Sequence, residues 1–330
     1  MRAVVVKEFG PIQSHAVGDL PDPTPARGEV LVKIKATAVN FVDSLVVTGK
    51  YQFLPSRPFA PGKLPCGEIT ALGEGVTGLR VGDRVLTLAE QGGYAQKIAV
   101  DAKQCFKLPD AMSFGEAASM ALVYDTSWFG LRERGRIAAG DSVLVMGATG
   151  GVGFASIQLA KAMGARVLAG VSNPAKASSV LAAGADDFVD LSASNLRDSL
   201  REQVFAKNGG KGVDVVIDPI GGDAFDAALR ALAWRGRLVV IGFASGRIPE
   251  VKANYLLLKN IEVTGLQVSD YRKRLPELMA ECIREIFKLY EAGKLKPAPF
   301  QAVPLDAFGS SLQNIVDRRA NGRIVLEPNP

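Results

Sequence analysis

Residues 142–165 read SVLVMGATGGVGFASIQLAKAMGA, and this stretch constrains the fold more than any other. Four apolar residues, Val143 to Met146, run into Gly147, Gly150, Gly151 and Gly153, and an apolar-periodic segment follows without a break. Buried strand, glycine turn and helix in that order form the scaffold of a dinucleotide site. The glycines let the backbone turn tightly and approach a pyrophosphate. The unpaired N–H groups at the new helix N-terminus then face that anion, and the helix dipole favours it.

Around this turn the strand and helix patterns alternate. Apolar runs at 142–146, 166–171, 187–190, 213–217, 237–241 and 261–265 predict strands. Helical spacing fills 151–163, 174–183, 194–207 and 223–234. Alternation of this kind predicts a parallel sheet covered on both faces, and six strands make two mononucleotide-binding halves. Residues 1–110 read differently, as short apolar runs punctuated by Pro and Gly, the pattern of a compact barrel or sandwich. The 41–62 segment, with Pro55, Pro58 and Pro61, reads as a functional loop or a helix plus loop. Ser113 and Glu116 have capping-box spacing ahead of a helix over about 113–137. Helices are expected at 275–292 and 305–319, and a last strand at 323–326. The first region has no natural end at residue 110, so the tail is expected to complete it. The expected division is 1–123 with 267–330, and 124–266 inserted between them.

Composition excludes several classes of function. The net charge of +5 comes from 39 basic and 34 acidic residues, scattered along the chain, without the basic stripe that nucleic-acid binding needs. No apolar run approaches the roughly 20 residues of a membrane span, and MRAVVVKEFG reads as a first strand rather than a signal peptide. Three separated cysteines, Cys66, Cys105 and Cys282, build neither a clustered zinc site nor a disulfide scaffold, so the cytoplasm is the expected compartment. The lone histidine, His15, lies far from any partner for a Ser-His-Asp apparatus and reads as a surface or hairpin residue.

The choice of cofactor follows from the second strand, which ends ARVLAGVSNPAK. NAD selection needs an acid near the ribose 2′-hydroxyl, and none occurs between Gly164 and Ala185. Ser172 and Asn173 stand at the strand end, with Lys176 just beyond. A hydroxyl and an ammonium accept a 2′-phosphate that a carboxylate would repel, so NADPH is the expected cofactor.

Taken in order, PDPTPARGEVLVKIKATAVNFVD (21–43), PFAPGKLPCGEITALGEGVTGLRVGDRV (58–85), GGYAQ (92–96), GATGGVG (147–153), DPIGG (218–222) and GRLVVIGFASG (236–246) resemble the zinc-independent medium-chain dehydrogenases/reductases. The similarity is closest to the NADPH:quinone oxidoreductases of the zeta-crystallin group and covers the full length. It implies an α/β protein in which a central Rossmann doubly wound sheet is joined to a GroES-like β-rich catalytic domain, with a cleft between the two. It also implies that Asn40 and Thr126 lie near the nicotinamide. Thr149, Gly150, Gly151 and Val152 would hold the pyrophosphate, Gly242 and Phe243 would border the nicotinamide ribose, and the backbone from Leu266 to Val268 would approach the carboxamide. Tyr51 is the candidate acceptor-side hydroxyl. Each polar candidate has a plainer use: Asn40 suits a helix N-cap before Phe41, Thr126 an ordinary helix position, and Tyr51 a packed loop aromatic. Tyr94 reads as a packing residue and Cys66 as a small buried hydrophobe.

The zinc-dependent branch carries Gly-His-Glu where this chain has Gly62, Lys63 and Leu64, and a Cys ligand where it has Asn40. An ammonium in a ligand position repels a dication, so no metal is expected. Direct hydride delivery to quinones or similar electron-poor carbonyl acceptors is the expected chemistry, with reduction of a 2-enoyl or alkenal C=C on the same scaffold, a Tyr donating the proton, as the alternative. Leu45 stands where many such quinone reductases carry Tyr, which makes the pocket wall more apolar. The remote alternative is an RNA-binding or structural crystallin-like protein. An apolar edge strand at 261–268 predicts a homodimer.

Overall fold

The computed structural model describes residues 1–329. The described residues form two compact units, one of residues 1–122 with 297–329 and one of residues 123–296. The return to the first unit therefore comes at 297 rather than at 267. The amphipathic helix Pro276–Glu291 belongs to the second unit, where it buries Met279, Cys282, Ile283 and Ile286.

The first unit is organised by its longest strand, Glu29–Ala38. Val30, Val32 and Ile34 alternate inward and are fully buried, the period-2 pattern of a strand with one face on a core. This strand pairs antiparallel with Cys66–Leu72, Lys97–Asp101 and Arg323–Glu327, so residues near both chain ends share one sheet. Val85, Val100 and Ile69 fill the core on one side. Val4, Val46, Tyr94, Phe308 and Leu326 fill a second cluster. The 41–62 segment opens as the helix Phe41–Val47 and continues as loop. His15 is not on the surface. It is buried, with Nε2 facing the carbonyls of Gly10 (3.3 Å) and Val47 (3.2 Å).

The second unit holds a six-stranded sheet in which every pairing is parallel. In chain order its strands are Ser142–Val145, Arg166–Val171, Asp187–Asp190, Val213–Asp218, Leu232–Val240 and Glu262–Gly265. Numbered that way, their spatial order is 3-2-1-4-5-6, the doubly wound arrangement that places a crevice where the order reverses, between the first and fourth strands. All four residues of the first strand are buried. Two helices stop earlier than their periodicity suggests. The helix expected to 234 ends at Ala231, and residues 232–234 join the next strand. The helix from Phe114 closes as an α-helix at Trp128 and widens into a π-turn over Phe129–Arg134. Its N-terminus is capped as expected, Ser113 N donating to Glu116 Oε2 at 2.8 Å and Glu116 N to Ser113 Oγ at 3.2 Å. The C-terminal helix is likewise shorter, Phe308–Val316 after a 3₁₀ turn.

Candidate active site

The glycine turn sits at the C-terminal end of the strand Ser142–Val145, beside the end of Val213–Asp218. Gly150 is the extended N-cap of the helix Gly151–Ala162. The first-turn N–H groups of Gly151, Val152 and Gly153 have no acceptor among the described residues, as the geometry of a helix start dictates. Gly153 has a steric reason to be glycine. A Cβ there would lie 2.3 Å from the Gly147 carbonyl oxygen and 2.6 Å from Ala148 Cα, both main-chain atoms. Closure of turn on helix is thus a backbone contact that any side chain would break, and the open N–H groups of the helix start suit an anion.

A second loop braces the turn from across the switch point. Asp218 ends its strand fully buried and accepts from the N–H groups of Ile220 (2.8 Å) and Gly221 (3.1 Å). Burial pushes its carboxyl up to about 6, against the pull of those two donors. A Cβ on Gly147 would meet Ile220 at 3.2 Å, so the 218–222 loop lies directly against the turn. The loop after the fifth strand is tied to the same feature: Ala244 N donates to Pro219 O, Ser245 N to Ile220 O, and Gly222 N to Arg247 O. Phe243 rests there, its ring 3.0 Å from where a Gly221 Cβ would be. Leu266 N donates to Val240 O at 3.0 Å, which sets Leu266 beside the strand end that leads to Gly242. Val268 is buried at the start of its helix, where the Gln267 side chain caps Ser269 N.

Ser127 connects the preceding helix to this site. Its single hydroxyl proton lies between Val123 O at 2.7 Å and Val152 O at 3.0 Å, and its oxygen accepts from Ser156 Oγ at 3.0 Å. Thr126, the adjacent residue, is buried, with Oγ1 3.3 Å from Asp125 Oδ1. Asp125 forms a buried ion pair with Arg272 at 2.5 Å. At the end of the second strand, Ser172 and Lys176 are exposed, Lys176 closing the short turn Pro174–Lys176 that Asn173 caps. The glycine turn, the 218–222 loop, Phe243 and Leu266 thus share the C-terminal end of the sheet.

Asn40 and Tyr51 belong to the first unit. Asn40 N donates to Asp43 Oδ2 at 2.8 Å, so its backbone does start the helix Phe41–Val47. Its side-chain amide is held elsewhere: Oδ1 accepts from Arg323 Nη2 at 2.7 Å and Nδ2 donates to Ala38 O at 3.1 Å. Asp43 is buried and also accepts from Tyr94 Oη at 2.7 Å. Burial pushes this carboxyl up, opposed by the Tyr94 and Asn40 donors and by the charges of Lys63 and Arg323. Tyr94 is therefore packed, as its motif implies, and it also serves Asp43. Cys66 is fully buried, and burial raises its thiol.

Lys63 is the residue whose environment sequence reading underestimates. It is only 5% exposed, and Nζ donates to Glu90 Oε2 at 2.6 Å and Glu90 O at 3.1 Å. The same ammonium lies 5.4 Å from the centre of the Tyr51 ring. Tyr51 in turn meets Phe53 edge-on, at 6.3 Å between ring centres. The two partnerships of Asn40 differ in legibility. The capping-box spacing to Asp43 is a local signal, whereas Arg323 stands 283 residues away and leaves none.

Two sequence profiles match the chain: an alcohol dehydrogenase GroES-like domain over residues 26–110 and a zinc-binding dehydrogenase domain over 151–284. A Quinone oxidoreductase-like protein 2 homolog from Nematostella vectensis is 36% identical over 90% of this chain and 81% of its own. The chain belongs to the medium-chain dehydrogenase/reductase family, among its quinone oxidoreductase-like members. Its fold matches that of Escherichia coli quinone oxidoreductase, solved with NADPH, with a TM-score of 0.91 and 29% identity over 99% of this chain and 100% of that one. It also matches the CurK enoyl reductase, with a TM-score of 0.88 and 25% identity over 99% and 98%.

Proposed function

We propose that the chain is an NADPH-dependent reductase delivering hydride to quinones or similar electron-poor carbonyl acceptors, without zinc. The observation that carries this reading is the glycine turn braced by the 218–222 loop at the sheet's switch point, with Ser172 and Lys176, and no acid, exposed at the end of the second strand. NADPH, when bound, supplies the hydride. The chain binds and orients it. Thr149, Gly150, Gly151 and Val152 hold the pyrophosphate, Gly151 and Val152 through the main-chain N–H groups left open at the helix start, while Ser172 and Lys176 receive the 2′-phosphate. Gly242 and Phe243 border the nicotinamide ribose, the backbone of 266–268 meets the carboxamide, and Thr126 stands at the nicotinamide end. Asn40 and Tyr51 are the acceptor-side groups. Asn40 is oriented by Arg323, and the Tyr51 hydroxyl is the donor to an oxygen that gains charge during reduction.

Zinc does not fit these residues. Among the described residues no group of three or more His, Cys, Asp or Glu could hold a metal, and Lys63 places a buried ammonium within the acceptor-side unit. A steady-state panel of quinones and enones, each with NADPH and NADH, tests the proposal. Turnover of quinones with NADPH preferred is the expected result; no turnover of any quinone overturns it. The likeness to an enoyl reductase favours a second reading, reduction of an activated C=C with Tyr51 as proton donor. Turnover of an enal or enoyl thioester alone would select it.

Three free thiols support a cytoplasmic location, and no helix among the described residues is long and apolar enough to cross a membrane. A homodimer is supported by the edge strand Glu262–Gly265, paired on one side only, and by Leu257 and Leu258, exposed to 78% and 74% on the helix before it. Light scattering that returns a monomer would remove this part of the proposal.

A further inference from the structure

A cavity of about 420 Å³ opens in the second unit at the start of the strand Leu232–Val240. This is the end of the sheet opposite to Gly242. Leu232 and Val240 pair with Val213 and Asp218 of the neighbouring strand, so five strand steps separate them, on the order of 17 Å, and Gly242 lies beyond Val240. Its wall carries three cations, Arg201, Lys211 and Lys259, together with Phe205, Leu232 and Trp234, and no carboxylate. None of the three cations forms an ion pair among the described residues. Arg201 lies over the Phe205 ring, 4.4 Å from its centre. Lys259 donates to the main-chain oxygens of Leu232 (2.6 Å) and Arg230 (3.1 Å), which leaves one of its three N–H groups unused. Burial, and then the charges of Arg201 and Arg230, hold the Lys259 ammonium below the usual lysine range. Trp234, by contrast, is 67% exposed at the mouth.

Like charges gathered without a counter-charge repel one another. Only Lys259 is partly withdrawn from water; Arg201 and Lys211 are exposed. An anion would relieve the repulsion and take up the spare Lys259 donor. The exposed indole, with the Arg235 guanidinium 5.6 Å from its centre on one face, offers its other face to a flat ring. We infer that this cavity is a second ligand site, separate from the dinucleotide cradle, for a small aromatic anion. Its carboxylate or phosphate would meet Lys259, Lys211 and Arg201, and its ring would lie on Trp234.

The chain holds two tryptophans, and the other, Trp128, is fully buried, so Trp234 is a built-in reporter. The full chain, saturated with NADP⁺, is titrated with phenyl phosphate and with benzoate while tryptophan emission is followed. Saturable quenching is expected, with the tighter ligand showing whether the site prefers phosphate or carboxylate. Added salt should weaken it, Trp234→Phe should abolish it, and Lys211→Met should weaken it about tenfold. Lys259→Met should weaken it at least as much. Because Lys259 also anchors main-chain oxygens, far-UV circular dichroism accompanies that variant, and the exposed Lys211 keeps the test independent of it. The KM for NADPH should not change in Lys211→Met. The inference fails if neither anion saturates, if benzyl alcohol quenches equally, or if Lys211→Met binds both anions like the parent chain.

Discussion

At the 147–153 turn the groups offered outward are main-chain N–H donors, and the residues there matter for the side chains they lack. Around Asn40 the groups are buried side chains, each fixed by another: Asn40 by Arg323, Asp43 by Tyr94, Lys63 by Glu90. The turn needs few residue types in a short stretch and tolerates little change at Gly153. The cluster draws on residues 40, 43, 63, 90, 94 and 323, and its cost lies in burying charge. A carboxylate taken out of water is tolerated only while its donors stay in place.

The largest expected effect breaks the turn. Gly153→Ala drives a methyl into the Gly147 carbonyl oxygen, and NADPH affinity should fall about a thousandfold, roughly 4 kcal/mol. A fluorescence titration of NADPH, with circular dichroism to confirm folding, measures it. Near-parental binding would show that the turn has slack the contact distances deny.

Asp218 tests whether the turn depends on a buried side chain behind it. Its carboxyl is raised from 3.8 to about 6 in the fold, so the folded state holds a proton that the unfolded chain gives up. This group's contribution is complete below about pH 4 and is lost as pH rises through about 6, up to about 3 kcal/mol. Asp218→Asn keeps an acceptor for Ile220 and Gly221 and carries no charge. Urea midpoints from pH 4 to 8 should therefore lose that downward slope. An unchanged slope would assign it to other groups.

On the other side of the comparison, Tyr94→Phe removes one donor from the buried Asp43. Stability should drop by about 2 kcal/mol with NADPH affinity unaltered, and denaturant melts beside cofactor titration separate the two. A change confined to cofactor affinity would contradict the role given to Asp43. The smallest effect concerns an exposed group: Lys176→Glu should raise the KM for NADPH about tenfold and leave that for NADH nearly constant. Equal changes for both cofactors would detach Lys176 from the 2′-phosphate.

The sequence by itself determined the parallel sheet, the glycine cradle and the missing acid after Gly164. These signals are local: strand, turn and helix are contiguous, and their spacing is written in consecutive residues. The Ser113–Glu116 cap and the packed fate of Tyr94 and Cys66 were legible for the same reason. Tertiary structure alone decided that the tail rejoins the first unit at 297 and that Arg323 orients Asn40. It also decided that Lys63 is buried against Glu90 and Tyr51, and that three unpaired cations share a cavity with Trp234. Each of these joins residues distant in sequence. Such pairings are selected by burial and by the need to satisfy buried charge, and neither leaves a periodic mark on the chain.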